Sequence, residues 1–413
     1  MKNKFNKRYK KENKIEKKSE NKITKNSKIK NKIFIIVCLL FIVLIFKNVQ
    51  AEEINMQSAV EEIGESYGLN SYMNEIQNCI NEYKIDDYSI NDIKEKLLSG
   101  NGIDYKNLLT IIVSSFFKEI NSSLKGGIII LIIIVIMAIL SGVSLEKNSE
   151  IIDITYLVCF VTVAIIVTIT FKDVIAIFKN TTDILSKIIQ IVSPFLIAIL
   201  IGTGGITTTG LVQPLLLFIS SLIGYIVTYV VIPFITVSVV LNIISAMSDN
   251  LKFSDMSKFF NKCVIWIVGI CLTLFLGILS LETTLSSSID SLTVDVAGSA
   301  MSNFIPVVGK FFSDSLETVV GATKIIGKTG GIVGIITILI ISFEPLLKII
   351  GVMMIYTIIS MIASVLSTNE KITKFIASFT DVYKTLIGVL ISIDILFVIS
   401  VGIILNLCSK IVT

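Results

Sequence analysis

From residue 126 to the C-terminus the chain is a succession of long apolar blocks separated by short polar stretches. That pattern constrains the fold more than any other feature. A helix needs about 20 apolar residues to cross a bilayer, and in lipid the backbone must satisfy its own hydrogen bonds, as a helix does. The chain is 16% charged, against about a quarter for a soluble domain. The expected fold is therefore all-α: a polytopic helical membrane protein.

The blocks divide as follows. Gly126 to Val143 is the first span and Ile151 to Phe171 the second, with Asp153 at its edge. Lys172 to Ile191 is amphipathic and suits the membrane interface, and Ser193-Pro194 opens a short apolar run to Ile201. GTGGITTTG, Gly202 to Gly210, reads as a tight turn between spans; the alternative is a broken-helix element whose carbonyls face water or an ion. Leu211 to Met247 reads as two closely spaced spans, with Pro214 and Pro233 near their starts. Ser248 to Lys262 is a Lys-bearing linker, and Cys263 to Leu281 a span with Trp266 near one end, as interfacial aromatics are placed. Ile332 to Phe343 and Leu346 to Leu366 flank Glu344-Pro345. Ser367 to Lys384 is a second Lys-bearing linker before the last span, Thr385 to Leu407. The count is six to eight spans. The two linkers, SDNLKFSDMSKFF and STNEKITKFIASF, align at an offset of 119 residues, which hints at an internal repeat.

The N-terminus has its own chemistry. Residues 1–32 hold 14 Lys or Arg and three Glu, and the apolar run Ile33 to Phe46 follows at once. A basic stretch, a short apolar core and the small residues Val49 and Ala51 before Glu52 describe a signal peptide over residues 1–51; an uncleaved anchor is the alternative. Either way the positive flank stays inside, and the residues after 52 are expected outside the cytoplasm. Residues 52–125 are acidic, with 13 Asp or Glu against six Lys. They read as a small exported helical domain, with a capping box at Asp92 and Glu95 and a turn at Ser99 to Gly102. Its last helix, Asp104 to Leu124, leads into the membrane at Gly126. The domain is either a bundle kept soluble by its acids or a docking surface for another exported protein.

Within the membrane domain, 126–413, the stretch Leu281 to Gly331 is different. Leu281, Leu285, Ile289, Leu292 and Val296 form one helical stripe opposite Ser, Thr and acids, and Phe312 and Leu316 begin a second. Pro306 and Gly309 in IPVVG mark the break between them. The unit is a central amphipathic helix–break–helix hairpin. The run SNFIPVVGKFFSDSLETVVGA, followed by a Gly-containing turn and an apolar span ending in Glu344-Pro345, resembles the stage III sporulation protein AE family. The apolar layout from Gly126 and the signal sequence with its small exported domain resemble that family too. The resemblance implies a membrane component of endospore formation, in the mother-cell membrane around the engulfed forespore. It implies a transenvelope channel that sustains the forespore and its late gene expression. The partners it implies are other stage III sporulation membrane proteins and a forespore-side protein, with self-association left open.

Residues for chemistry are few. There is no histidine, so Ser-His and Cys-His catalysis and His-ligated metals are excluded. No catalytic, cofactor-binding or metal-binding set is expected, nor nucleic acid as a partner. Of the six cysteines only Cys79 falls in the exported part; Cys159, Cys263, Cys271 and Cys408 lie in apolar runs as small hydrophobes. GATKIIGKT, Gly321 to Thr329, looks like a phosphate loop but has five residues between its glycines where the pattern needs four. Asp394 sits in the middle of the last span, where a carboxylate must face protein or water. It reads as an ion or proton site, a subunit contact, or a helix–helix hydrogen bond; Asn242 and Gln213 are weaker cases of the same kind. Glu344 and Lys348, one turn apart, suit a helix-end ion pair. The runner-up function is an autonomous ion-coupled secondary transporter. It draws on Asp394, the Gly/Thr segment and the repeat.

Overall fold

The computed structural model describes residues 57–82, 105–143, 149–247, 253–304, 308–366 and 370–410. The basic tail and signal segment, the capping box at Asp92, the turn at Ser99 to Gly102 and Pro306 lie outside the described residues. Among those described every element is helical: α1 Gln57–Ser66, α2 Leu69–Glu82, α3 Tyr105–Val143, α4 Ser149–Gly202, α5 Ile206–Ile226, a π turn Val227–Val231, α6 Ile232–Met247, α7 Ser254–Phe304, α8 Val308–Val365 and α9 Glu370–Lys410. Six segments are long and apolar enough to cross a membrane: Glu119–Leu140, Ile154–Gly202, Ile206–Met247, Ser254–Leu281, Val319–Val365 and Lys371–Cys408. They fit a multi-pass membrane protein.

The six fall within the six to eight expected, but they are longer than the residue pattern suggests. Leu211 to Met247 is not two spans: α5, the π turn and α6 form one run of 42 residues. Proline removes one backbone donor and its ring crowds the carbonyl four residues back. At Pro233 that carbonyl belongs to Tyr229, inside the π turn, and a π turn is a way of absorbing such an insertion without ending the helix. Pro194 and Pro345 are likewise carried inside α4 and α8. Beside Pro194, the Ser193 hydroxyl donates to the Ile189 carbonyl at 2.6 Å, one of the side-chain bonds by which apolar helices tolerate proline. So Glu344-Pro345 separates nothing, and Glu344 and Lys348 sit in the interior of α8 rather than at a helix end.

The stretch Lys172 to Ile191 continues the second span without a break. In its first half α4 exposes Ile154, Leu157, Val158, Val161, Ile165 and Ile169. Between Lys172 and Gln190 the exposed positions are Lys172, Asp173, Ala176, Lys179, Asn180, Asp183, Lys187 and Gln190, all but one of them polar. One helix of 54 residues is about 80 Å long, well over twice the roughly 30 Å hydrocarbon layer, so its two halves serve different surroundings.

Several successive helices fold back on one another. Thr203 to Gly205 is the tight turn anticipated in GTGGITTTG. Its amides return to the end of α4, Thr203 N to Ile199 O and Gly205 N to Leu200 O at 2.8 Å, and Gly204 takes φ +92°, a value only glycine adopts cheaply. The two linkers of the sequence repeat both open a helix that folds back on its predecessor. Ser238 of α6 donates to Ser257 O of α7 at 3.2 Å, and Ser360 of α8 to Thr373 O of α9 at 3.3 Å. The first pair is 19 residues apart and the second 13, so the corners are alike in kind but out of register with the repeat. Around Pro306, α7 ends at Phe304 and α8 starts at Val308; Gly309 therefore lies in the first turn of α8, not in the break.

The core lies where α9 runs between α4, α8 and the α6–α7 pair. One end is filled by aromatic rings. Phe379 meets Phe171 of α4, Phe375 and Tyr383, Phe375 meets Phe160 of α4, and Tyr383 meets Tyr356 of α8. Lys371 lies 5.9 Å above the Tyr156 ring at the rim. The other end is glycine-rich. Gly331 of α8 lies against Leu405 of α9 and Gly327 against Ile199 of α4, with no room for a larger side chain.

Candidate functional site

Asp394 is buried on α9, 8% exposed. It faces α8, where the Ser342 hydroxyl is within hydrogen-bonding reach of its carboxyl. Ser342 also reaches the Ile338 carbonyl at 3.0 Å. The Asp394 Oδ1 has no partner among the described residues, and Asp394 takes no part in the ion pairs Lys258–Asp255 and Lys384–Asp381. A buried acid held by one hydroxyl is a polar group in an otherwise apolar helix contact, a place where a proton or a small cation can be exchanged.

Asn242 is buried on α6 at 5% exposure, with Nδ2 unpartnered among the described residues. One turn before it, Ser238 meets Ser257 of α7 hydroxyl to hydroxyl at 2.7 Å. Asn261, one turn beyond Ser257, is buried with its Oδ1 unpartnered. Ser238 and Asn242 share one face of α6 and Ser257 and Asn261 one face of α7, and the two serines join the helices. Gln213 is exposed on α5. The three polar residues singled out from the sequence thus occupy three separate places. Among the described residues no group of His, Cys, Asp and Glu could hold a metal. Among the described residues a small, largely apolar cavity lies between α5, α7 and α9, lined by Ile219, Ile223, Cys271, Val389 and Leu396 among others.

The segment that imitates a phosphate loop, Gly321 to Thr329, is the interior of α8; no loop exists there to cradle a phosphate. Its glycines serve packing. Gly327, Gly330 and Gly334 open one face of α8 to Ile199, Phe195 and Val192 of α4, the small-residue approach common between apolar helices. Into that groove α2 inserts Tyr72. Its ring stacks on Phe195 at 4.2 Å and 8°, and its hydroxyl donates to the Gly330 carbonyl at 2.8 Å. Burial pushes the phenol well above its usual range, so it stays a donor. Nothing in the residue pattern singles out Tyr72; the spacing of three and four between Gly327, Gly330, Gly331 and Gly334 was the available signal for the groove.

Comparison with known proteins gives a consistent picture. The family model described as stage III sporulation protein AE matches residues 88–408. The stage III sporulation protein AE of Bacillus subtilis (strain 168) is 26% identical over 267 residues, covering 64% of this chain and 67% of that protein. No solved structure matches.

Proposed function

The chain belongs to the stage III sporulation protein AE family, and from that premise we propose that it is a multi-pass membrane component of a transenvelope channel between mother cell and forespore. The family places the chain in sporulation. The observation that carries the rest is the extent of the match: residues 88–408 take in all six candidate spans from Glu119 to Cys408, so the family resemblance belongs to the membrane body as a whole. In this reading the protein sits in the mother-cell membrane around the forespore, after a signal peptide or anchor has exported the residues beyond 52. It works with other stage III sporulation membrane proteins and a forespore-side partner, and sustains the forespore and its late gene expression. In this reading it acts as a membrane component of the assembly rather than as an enzyme.

The buried, half-partnered Asp394 favours one second reading, an autonomous ion-coupled transporter. The two readings separate in one preparation. Tagged full-length protein is isolated from sporulating cells after mild cross-linking, and the same protein is reconstituted alone in proteoliposomes. The channel reading expects other stage III sporulation membrane proteins in the cross-linked sample and no ion-dependent uptake by the protein alone. Uptake by the protein alone that disappears in Asp394→Asn, with no such partners recovered, selects the transporter.

A further inference from the structure

Tyr72 belongs to a helical hairpin, α1 and α2, that lies outside the family-matched residues 88–408, yet the groove it fills lies inside them. The contact is built from both sides. On the hairpin Leu69, Tyr72, Met73, Ile76 and Ile80 are all buried, while Glu62, Glu65, Asn74, Glu75, Asn78 and Glu82 face outward. On the membrane body the receiving residues lack side chains where the hairpin approaches. Gly202, at the end of α4, leaves the space taken by the Tyr67 hydroxyl, and Gly334 lies 3.2 Å from the Tyr72 hydroxyl measured to the position of an added Cβ. Gly64 of α1 faces Ile326 of α8.

We infer that the α1–α2 hairpin is a strap that closes over the glycine-lined end of α4 and α8, and that it fixes which ends of the helices share one side of the membrane. The α4–α5 turn adjoins the strap through Gly202. The pairings of α8 with α9 run in opposite directions, from Gly331–Leu405 at the strap end to Tyr356–Tyr383 and Ser360–Thr373 at the other. The corner between α8 and α9 therefore lies at the opposite end of the bundle. The corner between α6 and α7 lies there too, one 42-residue run away from the α4–α5 turn. With the basic N-terminus held inside and the residues after 52 exported, the strap and the α4–α5 turn are on the exported face, and the α6–α7 corner is cytoplasmic.

The test uses the full chain in intact cells and a membrane-impermeant maleimide. Cys79, on α2, is half-buried, and its thiol is pushed up by burial and then by Glu82 and Glu75, with Lys187 of α4 opposing them. With the other five cysteines replaced by alanine, Cys79 is expected to label slowly from outside. Tyr72→Phe, which removes only the hydroxyl bond, is expected to speed labelling by roughly threefold, and Tyr72→Ala by tenfold or more, on the scale of one lost hydrogen bond and one lost ring contact. Asn78→Ala, on the outward face, is expected to leave the rate unchanged. For sidedness, with Cys79 also replaced by alanine, Thr207→Cys, at an exposed position, is expected to label without permeabilisation, and Asp255→Cys, 83% exposed, only after it. Equal rates for the native chain and Tyr72→Ala overturn the strap; labelling of both engineered cysteines from the same side overturns the sidedness.

Discussion

Replacing Gly330 by valine is expected to cost about 3 kcal/mol, the upper end of what overpacking a filled site does. It should also unseat the N-terminal hairpin. Any Cβ at this position runs into the edge of the Phe195 ring, and Tyr72 is stacked on a face of that ring. The ring cannot move toward Tyr72 without breaking the stack, and Gly327 lets α8 lie close against Ile199 of α4 nearby. The measurement is thermal unfolding of the detergent-solubilised protein together with protease sensitivity of residues 57–82. The comparison variant is Gly402→Val on α9, where an added Cβ meets nothing within 4 Å. If both variants unfold together, glycine at 330 is incidental and the groove is not what holds the hairpin.

Phe379→Ala is expected to be at least as damaging, by about 3–5 kcal/mol, the cost of emptying a buried aromatic site. Phe379 is fully buried and is the one ring that touches α4 through Phe171 and its own helix through both Phe375 and Tyr383. Through Tyr383 the cluster continues to Tyr356 of α8, so one truncation loosens three helices at once. Trp266→Ala on α7 is the control, since Trp266 is 71% exposed and should cost little in detergent. Equal melting of the two variants would place the stabilising contacts elsewhere.

The sequence reading and the structure agree most closely where physics is local. Blocks of apolar residues become helices because an apolar segment in lipid has no other way to pair its backbone. GTGG becomes a turn because Gly204 needs a positive φ. Asp394 is buried against another helix, as its place in an apolar span requires. The disagreements have a common cause. Pro194, Pro233 and Pro345 look like boundaries by the rules of soluble helices, yet α4 and α8 run through them and the α5–α6 run passes Pro233 with a single π turn. Neighbouring helices and hydroxyls such as Ser193 compensate for the missing donors, and that compensation is tertiary. The groove of α8 was hidden for a related reason. Gly327, Gly330 and Gly334 invite a helix, but which helix, and that its key would be a tyrosine some 258 residues earlier, depends on long-range packing. The repeat was half legible: the two linkers do make similar corners, but with different chain lengths between the paired residues.

Deleting the gene in the sporulating host tests most directly whether this membrane protein serves the forespore. Cells are followed by membrane-stained fluorescence microscopy through engulfment. The expected result is that engulfment finishes and the forespore then shrinks or stalls, with full recovery when the intact gene is restored at another site. Normal, heat-resistant spores in the deletion strain would contradict the account.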